Sequence, residues 1–121
     1  MRAALAACVM KYTLAKYAVQ PEKVREIKHA MHEFMAEIRK HEPKTLYLIF
    51  RGEDKATFYH LMRFENEAAR LRHNQSKYNT HFVKKLYPHC VGHPAFSEVC
   101  LYDTSKKQWP LTSQMLRAAC S

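Results

Sequence analysis

The sequence predicts an α+β protein of ferredoxin-like βαββαβ order, with four antiparallel strands in one sheet and helices on one face. Three observations predict it. Near the start of the chain Met10, Tyr12 and Leu14 alternate with Lys11, Thr13 and Ala15, the period of a strand. Apolar residues then recur at intervals of three and four from Val24 to Ile38, the period of an amphipathic helix. Further strand-like and helix-like runs follow, each bounded by Pro, Gly, Asn or Ser.

The first strand is expected over Cys8 to Val19, rich in Val, Tyr, Thr and Leu. Gln20-Pro21 breaks it, and Pro21 suits a first helical position because its missing N–H is not needed there. From Pro21 to His41, Val24, Ile27, Met31, Phe34, Met35 and Ile38 form one stripe, with Glu22, Arg25, Glu26, His29, Glu33 and Glu37 on the polar side. Glu42-Pro43-Lys44 ends the helix. Thr45 to Arg51 reads as a strand, Gly52 to Lys55 as a turn, and Ala56 to Phe64 as the returning strand. Asn66 is placed to cap a short helix through His73, and Ser76 a second helix from Lys77 to Tyr87. Tyr78, Phe82 and Leu86 make the inner stripe of that helix, and Pro88 stops it. Pro94 precedes a last strand, Ala95 to Tyr102. Residues 8–102 thus form one domain. Residues 103–121 are a C-terminal extension whose Met115, Leu116 and Cys120 are suited to packing on a partner subunit. Tyr59 and Leu61 fall on the sheet face away from the helices. A sheet apolar on both faces needs a second cover, and another copy of the chain supplies one, so a homodimer is expected.

The chain has 121 residues and a net charge of +9, with 20 Lys and Arg against 11 Asp and Glu. Such a balance attracts polyanions. However, no Lys/Arg block of five or more, zinc-finger spacing or ribonucleoprotein motif is present, and nucleic acid is disfavoured as a partner. Arg63, Arg70 and Arg72 could instead steer an anionic aromatic toward a cleft, or simply form a solvated face. No apolar run is long enough to span a membrane. The four cysteines, Cys8, Cys90, Cys100 and Cys120, contain no CxxC pair and read as free thiols in a reducing cytoplasm. Antiparallel pairing of the first and last strands would make Cys8 and Cys100 unbonded neighbours. "HCVGH" at positions 89–93 offers His89, Cys90 and His93 to a metal, but no fourth ligand is evident and a plain loop is the better reading. No metal site is expected.

Tyr12 to Tyr102 resembles the antibiotic biosynthesis monooxygenase family of dimeric α/β barrels. "YAVQPEKVREI" resembles the family's first strand and Pro-containing helix start. "ATFYHLMRFENEAARLRH" resembles its strand, acidic cap and helix ending in His, and "QSKYNTHFVKKLYP" its following Ser-initiated helix. The resemblance implies a cleft between helices and sheet that holds a flat organic molecule. It also implies, as one activity of the family, cofactor-independent oxygenation of quinols and polyphenols. Two departures stand out. Where family members often carry Glu then Trp at the end of the third strand, this chain has Met62 and Phe64. The Asn, Trp and His of the haem-degrading branch are not matched, since His73 falls near the Trp position and Val83 near that of the ligand His.

Oxygenation without metal or flavin requires the substrate to supply the electrons. Deprotonating a phenol or quinol gives an anion that reduces O2 directly, so the protein needs an apolar cavity, a base near neutrality and donors for the phenolic oxygens. Histidine suits that base. The catalytic candidates are His73, at the family's helix-end position, and His60, on a strand face with Phe58, Met62 and Phe64. Tyr12, Tyr47, Phe58, Met62, Phe64, Tyr78 and Phe82 are the substrate-binding candidates. The plainer alternative makes His73 a packing residue at a helix break and His60 a satisfied core polar group. His81 reads as solvated. The function expected is a cofactor-independent monooxygenase of small aromatic, quinol or polyphenol compounds using O2. The alternative is a non-catalytic small-molecule-binding protein that keeps the fold.

Overall fold

The computed structural model describes residues 10–106 and 113–120. β1 (Lys11–Ala18) leads through a short helical turn, Pro21–Lys23, into α1 (Val24–His41). β2 (Leu46–Arg51) and β3 (Thr57–Phe64) follow, then α2 (Glu67–Gln75), α3 (Lys77–Leu86), β4 (Ala95–Val99) and α4 (Ser113–Cys120). The sheet order is β2-β3-β1-β4 and every pairing is antiparallel, the ferredoxin-like arrangement expected.

Strand parity sorts the side chains. Register places Thr13 opposite Met62, Ala15 opposite His60 and Tyr17 opposite Phe58, with Tyr47 opposite Met62 on the far side. These residues face the helices, and β3 alternates buried Phe58, His60, Met62 and Phe64 with more exposed partners. Ile27, Ala30, Met31, Phe34 and Ile38 of α1 and Phe82 and Leu86 of α3 close the core over them. The Phe34 and Phe82 rings stack at 4.6 Å between centroids, joining the two helices above the sheet.

The break between α2 and α3 is built as the sequence indicates. The Asn66 side chain accepts from the Ala69 N–H at 2.9 Å, and Ser76 Oγ accepts from the Asn79 N–H at 3.2 Å. Ser76 has extended backbone, and its hydroxyl also donates to the His73 carbonyl at 2.7 Å. One serine therefore ends one helix and begins the next.

Among the described residues the opposite sheet face is uncovered. Leu14, Leu48, Phe50 and Tyr59 are exposed there, with Leu61 partly exposed among them.

The cysteine expectation needs correction. Cys100 and Cys120 form a disulfide, with Cα atoms 5.7 Å apart across 20 positions of sequence. They are not free thiols, and the thiol argument for a reducing compartment lapses with them. β4 stops at Val99 rather than Tyr102, and the next residue, Cys100, carries the bond to Cys120. Around the bond α4 folds back on its own chain, where Arg117 pairs with Asp103 and Leu116 is buried. Cys90 is the free cysteine among the described residues, half-buried beside the Leu86 carbonyl. Cys8 lies outside the described residues. The strand pairing that suggested its position does form, with Tyr12 opposite Val99.

Candidate functional site

Two polar clusters lie between helices and sheet. The first is His60, 3% exposed, with both ring nitrogens engaged: Tyr17 OH stands 2.7 Å from Nε2 and Tyr47 OH 2.7 Å from Nδ1. Burial, then the charge of His73, lowers the His60 pKa to about 4, so the ring is neutral at physiological pH. Burial pushes both phenols up. The three side chains satisfy one another and leave no ring nitrogen for a ligand.

The second cluster gathers on Glu42, at the C-terminal end of α1. His73 Nδ1 donates to Glu42 Oε2 at 2.8 Å, Tyr78 OH donates to the same oxygen, and Thr45 Oγ1 donates to Oε1 at 3.0 Å. Burial alone would raise the carboxyl pKa. The hydrogen bonds from His73, Tyr78 and Thr45 and the electrostatic pull of His73 outweigh it and hold Glu42 below its usual value, hence ionised. Burial and the bond to Glu42 push Tyr78 up to about 12. The His73 side chain is only 3% exposed and that of Glu42 11%. Donation from Nδ1 fixes the tautomer of neutral His73 and leaves Nε2 as the basic atom. Phe34, Tyr47 and Phe64 ring His73, with centroids at 5.8, 5.7 and 5.2 Å.

A cleft of about 1280 Å³ opens over this cluster between the end of α1, α2 and α3. Phe34, Phe82, Tyr78 and Glu42 are among its lining residues, and His41 stacks on Tyr78 at 5.7 Å with nearly parallel rings. The rim charges are largely paired: Lys44 and Arg72 with Glu65 at 3.8 and 3.9 Å, and Lys85 with Glu33 at 3.5 Å.

The structure thus divides the residues singled out from sequence. Tyr78 and Phe82 line the cleft. His73, Tyr47, Met62, Phe64, His60 and Phe58 are buried on the helix side of the sheet. Tyr12 pairs with Arg63 and Val99 and, one residue out of phase with the inward set, faces the open side. Arg63 shares that side. Arg70 pairs with Glu67 and Glu98, and His81 is exposed on the cleft wall. Among the described residues no three His, Cys, Asp or Glu side chains cluster as metal ligands.

The sequence matches no family model and no curated protein. Solved structures do match. A candidate antibiotic biosynthesis monooxygenase from Caulobacter crescentus CB15 is 21% identical, with 81% of this chain and 94% of that one covered at a TM-score of 0.71. A second candidate antibiotic biosynthesis monooxygenase, from Nitrosomonas europaea, is 12% identical over 85% of this chain and 94% of its own, with a TM-score of 0.69. A conserved protein from Methanosarcina mazei Go1 is 18% identical over 78% and 95%, also at 0.69. The fold is that of the antibiotic biosynthesis monooxygenases.

Within this fold, reading the sequence missed Glu42, Thr45 and Tyr17. Tyr17 shares strand parity with Ala15, and so faces the helices. Glu42 carried a subtler signal: a carboxylate at a helix C-terminus opposes the helix dipole, which favours cations there. An acid in that position calls for compensating donors, and His73, Tyr78 and Thr45 provide them.

Proposed function

We propose that the protein is a cofactor-independent monooxygenase of small aromatic, quinol or polyphenol compounds, with His73 in the proton-accepting apparatus. The observation that carries the reading is one buried histidine, held in one tautomer by an ionised carboxylate, beneath an aromatic-lined cleft. A phenol bound there loses its proton to the Glu42–His73 pair, and the electron-rich anion reduces O2. One oxygen atom enters the ring, which becomes a quinone, and the other leaves as water. The substrate supplies all four electrons and no further reductant is needed. The names of the structural neighbours from Caulobacter crescentus and Nitrosomonas europaea support the same reading.

The unit proposed is a homodimer that buries the open sheet face, where Phe50 is 54% exposed. Light scattering at micromolar concentration gives twice the chain mass if this holds, and the chain mass if it does not.

Oxygen uptake by metal-free protein with a panel of quinols and polyphenols tests the activity. Uptake that His73→Ala abolishes, with folding intact by circular dichroism, supports it. Met62 and Phe64 favour a second reading. Both are buried, and neither offers a carboxylate or an indole where the resembling family often has them. Aromatics that bind without oxygen consumption would identify a binding protein on the same fold.

A further inference from the structure

The side chain that faces a ligand is not His73. His73 is sealed behind Phe34, Phe64 and Tyr47, whereas Glu42 and Tyr78 line the cleft. A carboxylate has about four acceptor positions over two oxygens. On Glu42, Oε2 uses its two on His73 and Tyr78, while Oε1 accepts only from Thr45 among the described residues. One acceptor position therefore remains on an ionised carboxylate that lines the cleft together with His41 and Tyr78.

We infer that Glu42 Oε1 is the specificity-determining atom of the cleft, selecting neutral aromatics that present a hydroxyl donor. This rests on the aromatic-substrate reading above and narrows it. A flat ligand that fills the cleft strips water from Oε1. A hydroxyl repays that loss with a charge-assisted hydrogen bond. A methyl ether cannot, and an aromatic carboxylate meets a like charge. Sites that hydrogen-bond a hydroxyl discriminate strongly against analogues lacking it, because the buried partner is left bare. His73 and Tyr78 act through Glu42, holding it ionised and fixed. Arg72 does not reverse the preference, since Glu65 on the same wall pairs with it.

The test is equilibrium binding to the full chain without oxygen, so that binding is scored apart from turnover. The probes are catechol, its dimethyl ether and benzoate, titrated by NMR. Catechol is expected to bind at least tenfold more tightly than either, with intermolecular contacts to Tyr78 and Phe82. Glu42→Gln is expected to reduce that preference below threefold. Equal binding of catechol and its ether to the unaltered protein overturns the inference, as does absence of catechol binding or contacts placed outside the cleft. These readouts stand even if Glu42→Gln fails to fold. A folded Glu42→Gln that keeps the preference also overturns it. Failure of oxygen uptake alone bears on the monooxygenase reading and leaves this result unaffected.

Discussion

Glu42→Ala separates a structural ion pair from an incidental contact. The substitution leaves buried His73 and half-buried Tyr78 without their acceptor, while Thr45 can turn to water. Hydrogen bonds to a charged group contribute about 1.5–3 kcal/mol each, so two lost bonds set an upper range of about 3–6 kcal/mol. Removing the acid from the helix C-terminus returns about 0.3–1 kcal/mol. Hydration from the open cleft returns more, which leaves a net cost of about 2–4 kcal/mol, near the lower end for breaking a buried pair. For a chain of this length that lowers Tm by roughly 10 °C. Urea titration at pH 7 measures it. The pH dependence supplies a second check. The Glu42 pKa is lower folded than unfolded, so its stabilisation is full above the unfolded carboxylate value and fades as the pH falls through the folded one. The gap between wild type and Glu42→Ala should therefore narrow on acidification, with ionisations common to both chains cancelling. A gap under about 0.5 kcal/mol at pH 7, the range of ordinary surface changes, would refute the argument. So would a gap that stays constant down to the acid limb.

Three further outcomes follow from the same structure. Tyr47→Phe leaves His60 Nδ1 buried without its partner and should cost about 1–3 kcal/mol in urea titration; a neutral result would mean water replaces the phenol. His60 stays neutral down to about pH 4, whereas the unfolded chain binds that proton below about 6.5, so this residue costs stability as the pH falls between those values; NMR should show its ring signals unchanged from pH 8 to 5. Reducing the Cys100–Cys120 bond should speed tryptic cleavage after Arg117, because an eight-residue helix does not hold without its tether; an unchanged rate would show that packing alone secures α4.

What was legible in the sequence depended on how far each interaction reaches along the chain. The strands showed in side-chain parity and α1 in its apolar stripe. The Asn66 and Ser76 caps showed because each bonds a backbone N–H three residues on. The site was less legible. His73 drew attention by its position in a family-like helix, but Glu42 meets it across 31 positions and Tyr78 across 36. Only the packing of α1 against α3 brings those ends together. The disulfide was hidden for the same reason, since spacing alone does not fix which cysteines pair. Tyr12 was drawn toward the cleft by its chemistry, while parity already put it on the other face from Ala15.

The Tyr17–His60–Tyr47 line has a further property. A neutral imidazole carries a single N–H. One phenol must therefore donate to the ring while the other accepts from it. Two proton arrangements meet that condition, with the hydrogen on Nδ1 or on Nε2. They leave every heavy atom in place and point the local dipole in opposite directions along the row from β1 to β2. Tyr47 also lies beside His73, so a charge arriving in the cleft bears on which arrangement is lower in energy. The buried row can thus reverse its polarity by moving protons alone, with no side chain repacked.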